Sequence, residues 1–184
     1  MSVEDLSQLL GDLARRIASR EGYQAAVVPR ERLREAAERL RSAGYDMLLS
    51  ISGVDEPKRK VIRVVYHFTS SRNPRSLVAL ETEAPRDEPR VPSISDIYPA
   101  AELQEREEHE MLGIIFEGLR DTRHLLLPED WPEGVYPLRK DFRVPDEPWM
   151  STKPPRHSLE DLKRMMQELE QEAGRGEEEE SRDL

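Results

Sequence analysis

Apolar residues in the N-terminal part of the chain recur with helical spacing, interrupted by one short run typical of a strand. Helical spacing covers residues 6–17 and again residues 30–43, after which Gly44 ends the pattern. Between these stretches, residues 23–28 are mostly apolar and are followed by Pro29. The start of the chain is therefore predicted to run helix, strand, helix.

Three further runs are rich in strand-forming residues. They cover residues 45–54, 60–69 and 76–83, and turn-forming residues separate them. Spacing this short favours antiparallel hairpins, and the nearly continuous apolar character of residues 61–68 is typical of an interior strand covered on both faces. We therefore predict an α+β fold with a mixed or antiparallel sheet of about four strands and flanking helices.

The second half of the chain has a different character, because 11 of the 14 prolines lie between Pro85 and Pro155. Proline neither donates to a strand ladder nor fits inside a helix, so we expect an extended Pro-rich segment there. A helix over residues 99–112, ended by Gly113, and a short strand over residues 114–116 interrupt it.

A last helix is predicted over residues 159–173, and four consecutive glutamates within residues 174–184 indicate disorder. The sequence thus divides into an α+β core domain, a helix plus an extended segment that wraps a partner, a C-terminal helix, and a disordered acidic tail. These parts cover residues 1–84, 85–156, 157–173 and 174–184.

Composition and charge exclude several kinds of function. The chain of 184 residues has 28 Lys and Arg against 38 Asp and Glu, which gives a net charge of −10, and it has no cysteine. The acidic balance argues against a nucleic-acid partner. Without cysteine, this chain forms no disulfide, offers no thiolate nucleophile and cannot hold an iron–sulfur cluster through thiolates.

Other patterns that would indicate a site or a membrane span are missing from the sequence. The nine glycines form no phosphate-binding motif, which argues against a nucleotide site, and the four histidines lack metal-binding spacing. No apolar run reaches the roughly 20 residues of a membrane-spanning helix. Residues 1–10 carry acidic side chains where a signal peptide would be basic.

Charged side chains run from Glu105 to Glu110 in the helix predicted before Gly113. Neighbouring carboxylates could act as a general acid and base, or the run could stabilise its own helix through the i,i+4 pairs Arg106–Glu110 and Glu105–His109. A third interpretation is an ionic docking surface, which we favour. It assigns Glu105, Arg106 and Glu107 to a partner interface.

The most informative segment runs from Pro128 to Phe142 and combines prolines with aromatic residues but no hydrophobic periodicity. Its aromatic side chains need cover, since each can bury on the order of 150–250 Å². The segment either folds back on its own sheet or wraps a partner subunit, and we favour wrapping. The residues assigned to that interface are Trp131, Tyr136, Leu138, Arg139, Lys140, Asp141 and Phe142.

Several motifs in this sequence resemble the signature of the C subunit of NADH:quinone oxidoreductase, the respiratory complex I family. The similarity covers residues 45–143. The motifs that carry it are residues 92–101, the Glu105-Arg106-Glu107 triplet, and residues 113–114, 116–118, 127–131 and 137–142.

The resemblance implies a subunit with no catalytic, cofactor-binding or metal-binding residues of its own. Such a subunit packs in the hydrophilic arm against a large subunit related to nickel–iron hydrogenases. Iron–sulfur clusters and, in a hydrogenase, a nickel–iron centre would lie on the partner subunits, and contact with the membrane arm would be indirect. The expected location is the cytoplasmic face of the membrane, as a peripheral part of a membrane complex.

The branch of the family is indicated by departures from its respiratory members. Leu103-Gln104 replaces their Trp-Tyr, and residues 118–124 replace their Gly-His-Pro-Asp-Leu-Arg-Arg. The sequence is more similar to the corresponding subunit of ion-translocating membrane-bound hydrogenase and sulfane reductase complexes. The C subunit of an NADH:quinone or related quinone-reducing complex is the alternative.

Two other classes of function are open at this point. An independent enzyme would use the carboxylates between Glu105 and Glu110, and it predicts activity from the chain alone and a concave pocket that holds them. A free-standing adaptor would bind partners reversibly and predicts a stable monomer.

Overall fold

The helices and strands follow one another in an α+β order. The structure, a computed structural model, describes residues 6–20 and 22–144. Short 3₁₀ turns at Gly11–Leu13, Arg30–Arg32 and Pro57–Arg59 join some of the elements. The helices are α1 (Leu6–Leu10), α2 (Leu33–Ser42) and α3 (Ala101–Leu112), and the strands are β1 (Arg16–Arg20), β2 (Tyr23–Val27), β3 (Met47–Glu56), β4 (Val61–Ser70), β5 (Asn73–Pro85), β6 (Arg90–Pro92) and β7 (Ile115–Glu117).

The main sheet has five strands in the order β1-β2-β5-β4-β3. The pair of β2 and β5 is parallel, and the other pairs are antiparallel, so the sheet is mixed. The predicted α+β class and the hairpins of β3, β4 and β5 are confirmed. The sheet has one strand more than expected, because β1 lies where the sequence predicts a helix.

The helix predicted over residues 6–17 is too long. The α-helical part ends at Leu10, and Gly11 adopts a left-handed conformation at φ +53°. Ala14 is already extended, and Arg16–Arg20 pairs with β2 in register from Arg16 opposite Val27. Local periodicity misses this change, because a backbone pairing with a different segment decides it.

Strand β4 is covered on one face rather than two, so that part of the prediction is wrong. Ile62, Val64, Tyr66 and Phe68 are buried, whereas the residues between them are only half-buried. The reason is that α1, α2 and α3 contribute their buried residues to a single core on one side of the sheet.

The core extends well beyond the main sheet. Val91, Ile94, Tyr98 and Phe116 are buried in the same hydrophobic cluster as the sheet residues. The Tyr98 hydroxyl donates to the Tyr45 carbonyl at 2.7 Å. This bond holds the segment before α3 against the residues that precede β3. Buried residues on both sides of the predicted boundary between positions 84 and 85 therefore share one core.

Helix α3 lies close against β3. It begins at Ala101 and ends at Leu112, and the φ of +76° at Gly113 stops the helix as predicted. Gly53 on β3 permits this approach, because a β-carbon there would come within 2.5 Å of Glu108 Oε2 and would also collide with Leu112. The strand predicted after Gly113 is β7, which pairs in parallel with β6. The helix predicted over residues 159–173 and the disorder predicted over 174–184 lie outside the described residues.

Candidate partner interface

Glu105 faces the core. It is fully buried, and its carboxylate accepts a hydrogen bond from the Ser93 hydroxyl at 2.5 Å and another from the Ile94 amide at 2.8 Å. Burial raises the pKa of this carboxyl to about 7, and the two hydrogen bonds oppose that rise only in part. The assignment of Glu105 to a partner interface is therefore corrected, because the side chain has no surface to offer.

Arg106 holds the loop that follows β7. Its guanidinium donates to the backbone carbonyls of Arg123 and His124, the latter at 2.7 Å, and to Asp121 Oδ2 at 3.1 Å. Only 14% of the Arg106 side chain is exposed. Arg123 and then Arg106 keep the pKa of Asp121 well below its usual range. Arg106 is thus committed mainly to contacts within its own chain.

Glu110 holds the next part of the same loop. Oε1 accepts the Leu126 amide at 2.8 Å, and Oε2 accepts the amides of Leu125 and Leu127 at 3.0 and 3.2 Å. Burial by itself would raise the pKa of Glu110, but these amides and the His124 ring outweigh it and keep the pKa below its ordinary value.

We call residues 121–127 the leucine loop. The sequence indicates an i,i+4 pair between Arg106 and Glu110 along the helix, yet both side chains turn to this loop instead. Arg106 binds its carbonyls and Glu110 binds its amides. The remaining member of the predicted docking triplet, Glu107, is exposed on α3.

We call residues 128–142 the aromatic ribbon, and its second half is fastened to the end of α3. The Tyr136 ring lies against Gly113, where a β-carbon would overlap it, and the Arg139 guanidinium lies 4.5 Å from the ring centroid. The Arg139 Nε donates to the Leu112 carbonyl at 2.8 Å, and the Leu138 amide donates to the Met111 carbonyl at 3.1 Å. The ribbon therefore packs on its own chain here.

A buried carboxylate holds the end of the ribbon. Asp55 on β3 accepts Arg86 Nε at 2.7 Å and Arg86 Nη2 at 3.0 Å, and its Oδ2 also accepts the Lys140 amide at 2.8 Å. The same guanidinium reaches Asp141 at 2.7 Å. The hydrogen bonds from Arg86 hold the pKa of Asp55 below its usual range. Lys140 and Asp141 are thus tied to the sheet.

Apolar side chains remain on the surface of the ribbon and the leucine loop. Leu138 is 57% exposed, and Leu125 and Leu126 are 40% and 60% exposed. Trp131, Tyr136 and Phe142 are half-buried. The alternative that the ribbon folds back on its own domain is thus realised for residues 136–141, while contact with a partner stays a prediction.

The comparison with known families bears directly on these residues. The family model described as respiratory-chain NADH dehydrogenase, 30 kDa subunit, matches residues 26–148. The chain belongs to this family. The resemblance that the sequence motifs carry is thereby confirmed, and the match includes the leucine loop and the aromatic ribbon.

Relatives of this chain occur in several complexes. The C subunit of the NADH-quinone oxidoreductase of Acidothermus cellulolyticus is 40% identical over 139 residues, which cover 70% of this chain and 69% of that protein. Membrane-bound hydrogenase subunit beta of Pyrococcus furiosus is 51% identical over 69 residues, 37% of this chain and 40% of that protein. A solved structure of the archaeal membrane-bound sulfane sulfur reductase aligns with a TM-score of 0.67 at 32% identity, over 76% of this chain and 84% of that one.

One of the α3 carboxylates that an independent enzyme would use borders a cavity. A cavity of about 380 Å³ lies between α3 and the ribbon, lined by His109, His124 and Trp131 among others. Glu110 is the one carboxylate of α3 that lines it, and both of its oxygens already accept amides. Within residues 6–20 and 22–144, no group of three or more His, Asp or Glu side chains is placed so that it could hold a metal ion.

Sequence reasoning missed two parts of the interface candidate. Leu125 and Leu126 belong to a run of three leucines between His124 and Pro128, and so dense an apolar run in a polar loop was a usable signal. Asp55 carried no such signal, because its partners are 31 and 85 residues away.

None of the helices in the described part of the chain is long and apolar enough to cross a bilayer.

Proposed function

We propose that the chain is a non-catalytic subunit of the hydrophilic arm of a complex-I-like, ion-translocating membrane oxidoreductase. It docks on the large subunit related to nickel–iron hydrogenases and belongs to the hydrogenase or sulfane reductase type. The complex lies with this arm on the cytoplasmic face of the membrane. Iron–sulfur clusters, and in the hydrogenase case a nickel–iron centre, are held by the partner subunits.

One observation carries the proposal. Glu105, Arg106 and Glu110, three of the charged groups in the predicted α3 cluster, bind backbone groups of their own chain. Groups fixed in this way do not exchange protons with a substrate easily, but they give a loop and a ribbon a defined shape. Defined shape with apolar side chains outward is what a permanent subunit needs, since preorganisation lowers the entropy lost on docking.

The names of the relatives support a multisubunit setting. The hydrogenase and sulfane reductase relatives are both described as membrane-bound, and the sulfane reductase as a respiratory complex. The alternative is the C subunit of a quinone-reducing complex, and the 40% identity to the Acidothermus protein over a longer stretch favours it. Both candidates give this chain the same structural role.

The test is purification of the tagged chain from solubilised membranes of its host, with an untagged strain as control. We expect a cysteine-rich set of partners, including the large subunit, and no redox activity or bound metal in the chain purified alone. Four hydrogenase-type cysteines in the large subunit would indicate a nickel–iron centre, and their loss a quinone or sulfane reductase. Recovery of a lone monomer from the soluble fraction would contradict the proposal and favour an adaptor, and activity of that monomer would favour an enzyme.

A further inference from the structure

The leucine loop combines exposed apolar side chains with a rigidly held backbone. Leu125 and Leu126 leave 40% and 60% of their surface in contact with solvent. Single exposed leucines are ordinary on protein surfaces. These two differ in that they are neighbours in a loop whose amides are both bound by the Glu110 carboxylate.

Two charged side chains withdrawn from water hold the backbone of this loop. The Glu110 side chain is 2% exposed and the Arg106 side chain 14%. Withdrawing charged groups from water is unfavourable unless their hydrogen bonds are filled, and here the loop backbone fills them. The result is a loop in which the amides of residues 125–127 and the carbonyls of residues 123 and 124 are bound by buried side chains, so that Leu125 and Leu126 are held in a defined position.

Charges beside the leucines restrict the kind of surface that fits them. Arg123, with 85% of its side chain exposed, precedes the leucines in the chain. It shares the single carboxylate of Asp121 with Arg106, so this side of the loop keeps a net positive charge. The exposed carboxylates Glu129 and Asp130 follow them. A matching surface has an apolar hollow with an acidic group on the side of Arg123 and a basic group on the side of the two carboxylates.

We propose that the leucine loop is a preformed docking element that inserts Leu125 and Leu126 into an apolar hollow, with this charge pattern, on a neighbouring subunit of the complex. Arg106 and Glu110 are positioning residues that act through the loop. The inference rests on the proposed function and makes it more specific, since it names the contacting side chains and the chemistry of the surface that receives them.

The experiment compares Leu126→Asp with Leu49→Asp in the tagged full chain, purified from membranes. Leu49 is a matched control because it is 50% exposed and lies on edge strand β3. We expect Leu126→Asp to lower recovery of the partner subunits about tenfold or more, since a buried charge at a contact of this kind typically costs that much, and Leu49→Asp to leave it within about twofold. Equal recovery with Leu126→Asp and the wild type would overturn the inference.

Two further outcomes would also overturn it. Stronger destabilisation of the isolated chain by Leu126→Asp than by Leu49→Asp would mean that Leu126 is covered within its own chain. An isolated wild type that is dimeric, and becomes monomeric with Leu126→Asp, would mean that the loop binds a second copy. If the wild type recovers no partner at all, the proposed function itself fails, so the two failures are distinguishable.

The positioning role is tested by a double-mutant cycle with Glu110→Gln and the milder Leu126→Ala. If Glu110 acts through the loop, we expect Glu110→Gln to weaken partner recovery about fivefold in the wild type and much less in the Leu126→Ala background. Independent effects that multiply would assign Glu110 a role in stability alone and would contradict the positioning claim.

Discussion

Replacement of Glu110 by glutamine tests the structural role of α3 most sharply. The carboxylate accepts three consecutive amides, those of Leu125, Leu126 and Leu127, at 2.8–3.2 Å. Glutamine has the same size but only one acceptor oxygen, and its NH₂ group is a donor. In its better orientation the amide oxygen takes the place of Oε2 and keeps two of the three amides, while the NH₂ group faces the Leu126 amide.

The magnitude follows from these contacts. One hydrogen bond to a charged group is lost, which is worth about 1.5–3 kcal/mol, and the remaining two become neutral and roughly half as strong. Water can reach part of the loop and replace some of these bonds. We therefore expect the free energy of loop opening to fall by about 2–3 kcal/mol. Since 1.4 kcal/mol is a factor of ten, this corresponds to an increase of roughly 30- to 140-fold in the exchange rate of the three amides.

The assay is native-state hydrogen exchange, read at Leu125, Leu126 and Leu127 in the isolated chain. Glu107→Gln is the matched control, because Glu107 is an exposed glutamate of the same helix, and we expect it to leave these amides unchanged. Protection of the three amides that stays within about threefold of the wild type in Glu110→Gln would refute the reasoning, since the carboxylate would then not be what holds the loop.

Three other substitutions test the environment of buried carboxylates. Burial raises the pKa of Glu105 and Glu108 to about 7, so between the unfolded value near 4.5 and pH 7 the folded state keeps protons that the unfolded state has released. The free energy of unfolding should therefore fall as pH rises through this window. In denaturant titrations, Glu105→Gln should reduce this fall by at most about 3 kcal/mol, and a pH profile equal to that of the wild type would contradict the raised pKa of Glu105. Gly53→Ala places a methyl group 2.5 Å from Glu108 Oε2 and should cost about 1–3 kcal/mol in the same titration, whereas a stabilised variant would show that α3 has more room than we describe. Asp55→Asn removes the buried charged partner of Arg86, which keeps only the exposed Asp141 as a partner, and should cost about 2–4 kcal/mol at pH 7. The difference from the wild type should shrink as pH falls through the depressed pKa of Asp55, and a constant difference would contradict the ion pair.

Local signals in the sequence were sufficient for much of the fold. Strands β3, β4 and β5 could be predicted because strand-forming residues alternate with short turns, and the end of α3 could be predicted because Gly113 adopts the left-handed conformation that stops a helix. Strand β1 could not be predicted, since helical periodicity continues through Ile17 and only pairing with β2 makes the backbone extended. The general limit is that short periodic stretches are decided by distant partners.

The roles of the charged residues were harder to predict than the elements that carry them. A glutamate on a helix is more often exposed to solvent or paired with a charged residue four positions away. The sequence therefore predicts that Glu105 and Glu110 lie on the protein surface. Their actual partners lie 11 to 17 residues away, on the segments before and after α3. The family motif contains Glu105 and Arg106 without indicating that both bind groups of their own chain, because a motif records residue types and not their environments.

Exposure of the leucine loop and the aromatic ribbon, measured by hydroxyl-radical footprinting in the free chain and in the membrane complex, tests the central claim most directly. The account predicts that oxidation of Leu125, Leu126 and Leu138 falls several-fold on assembly, while oxidation of Val65 on the open face of β4 changes less. Equal oxidation of the three leucines in both states would contradict the claim that these segments form the contact with neighbouring subunits.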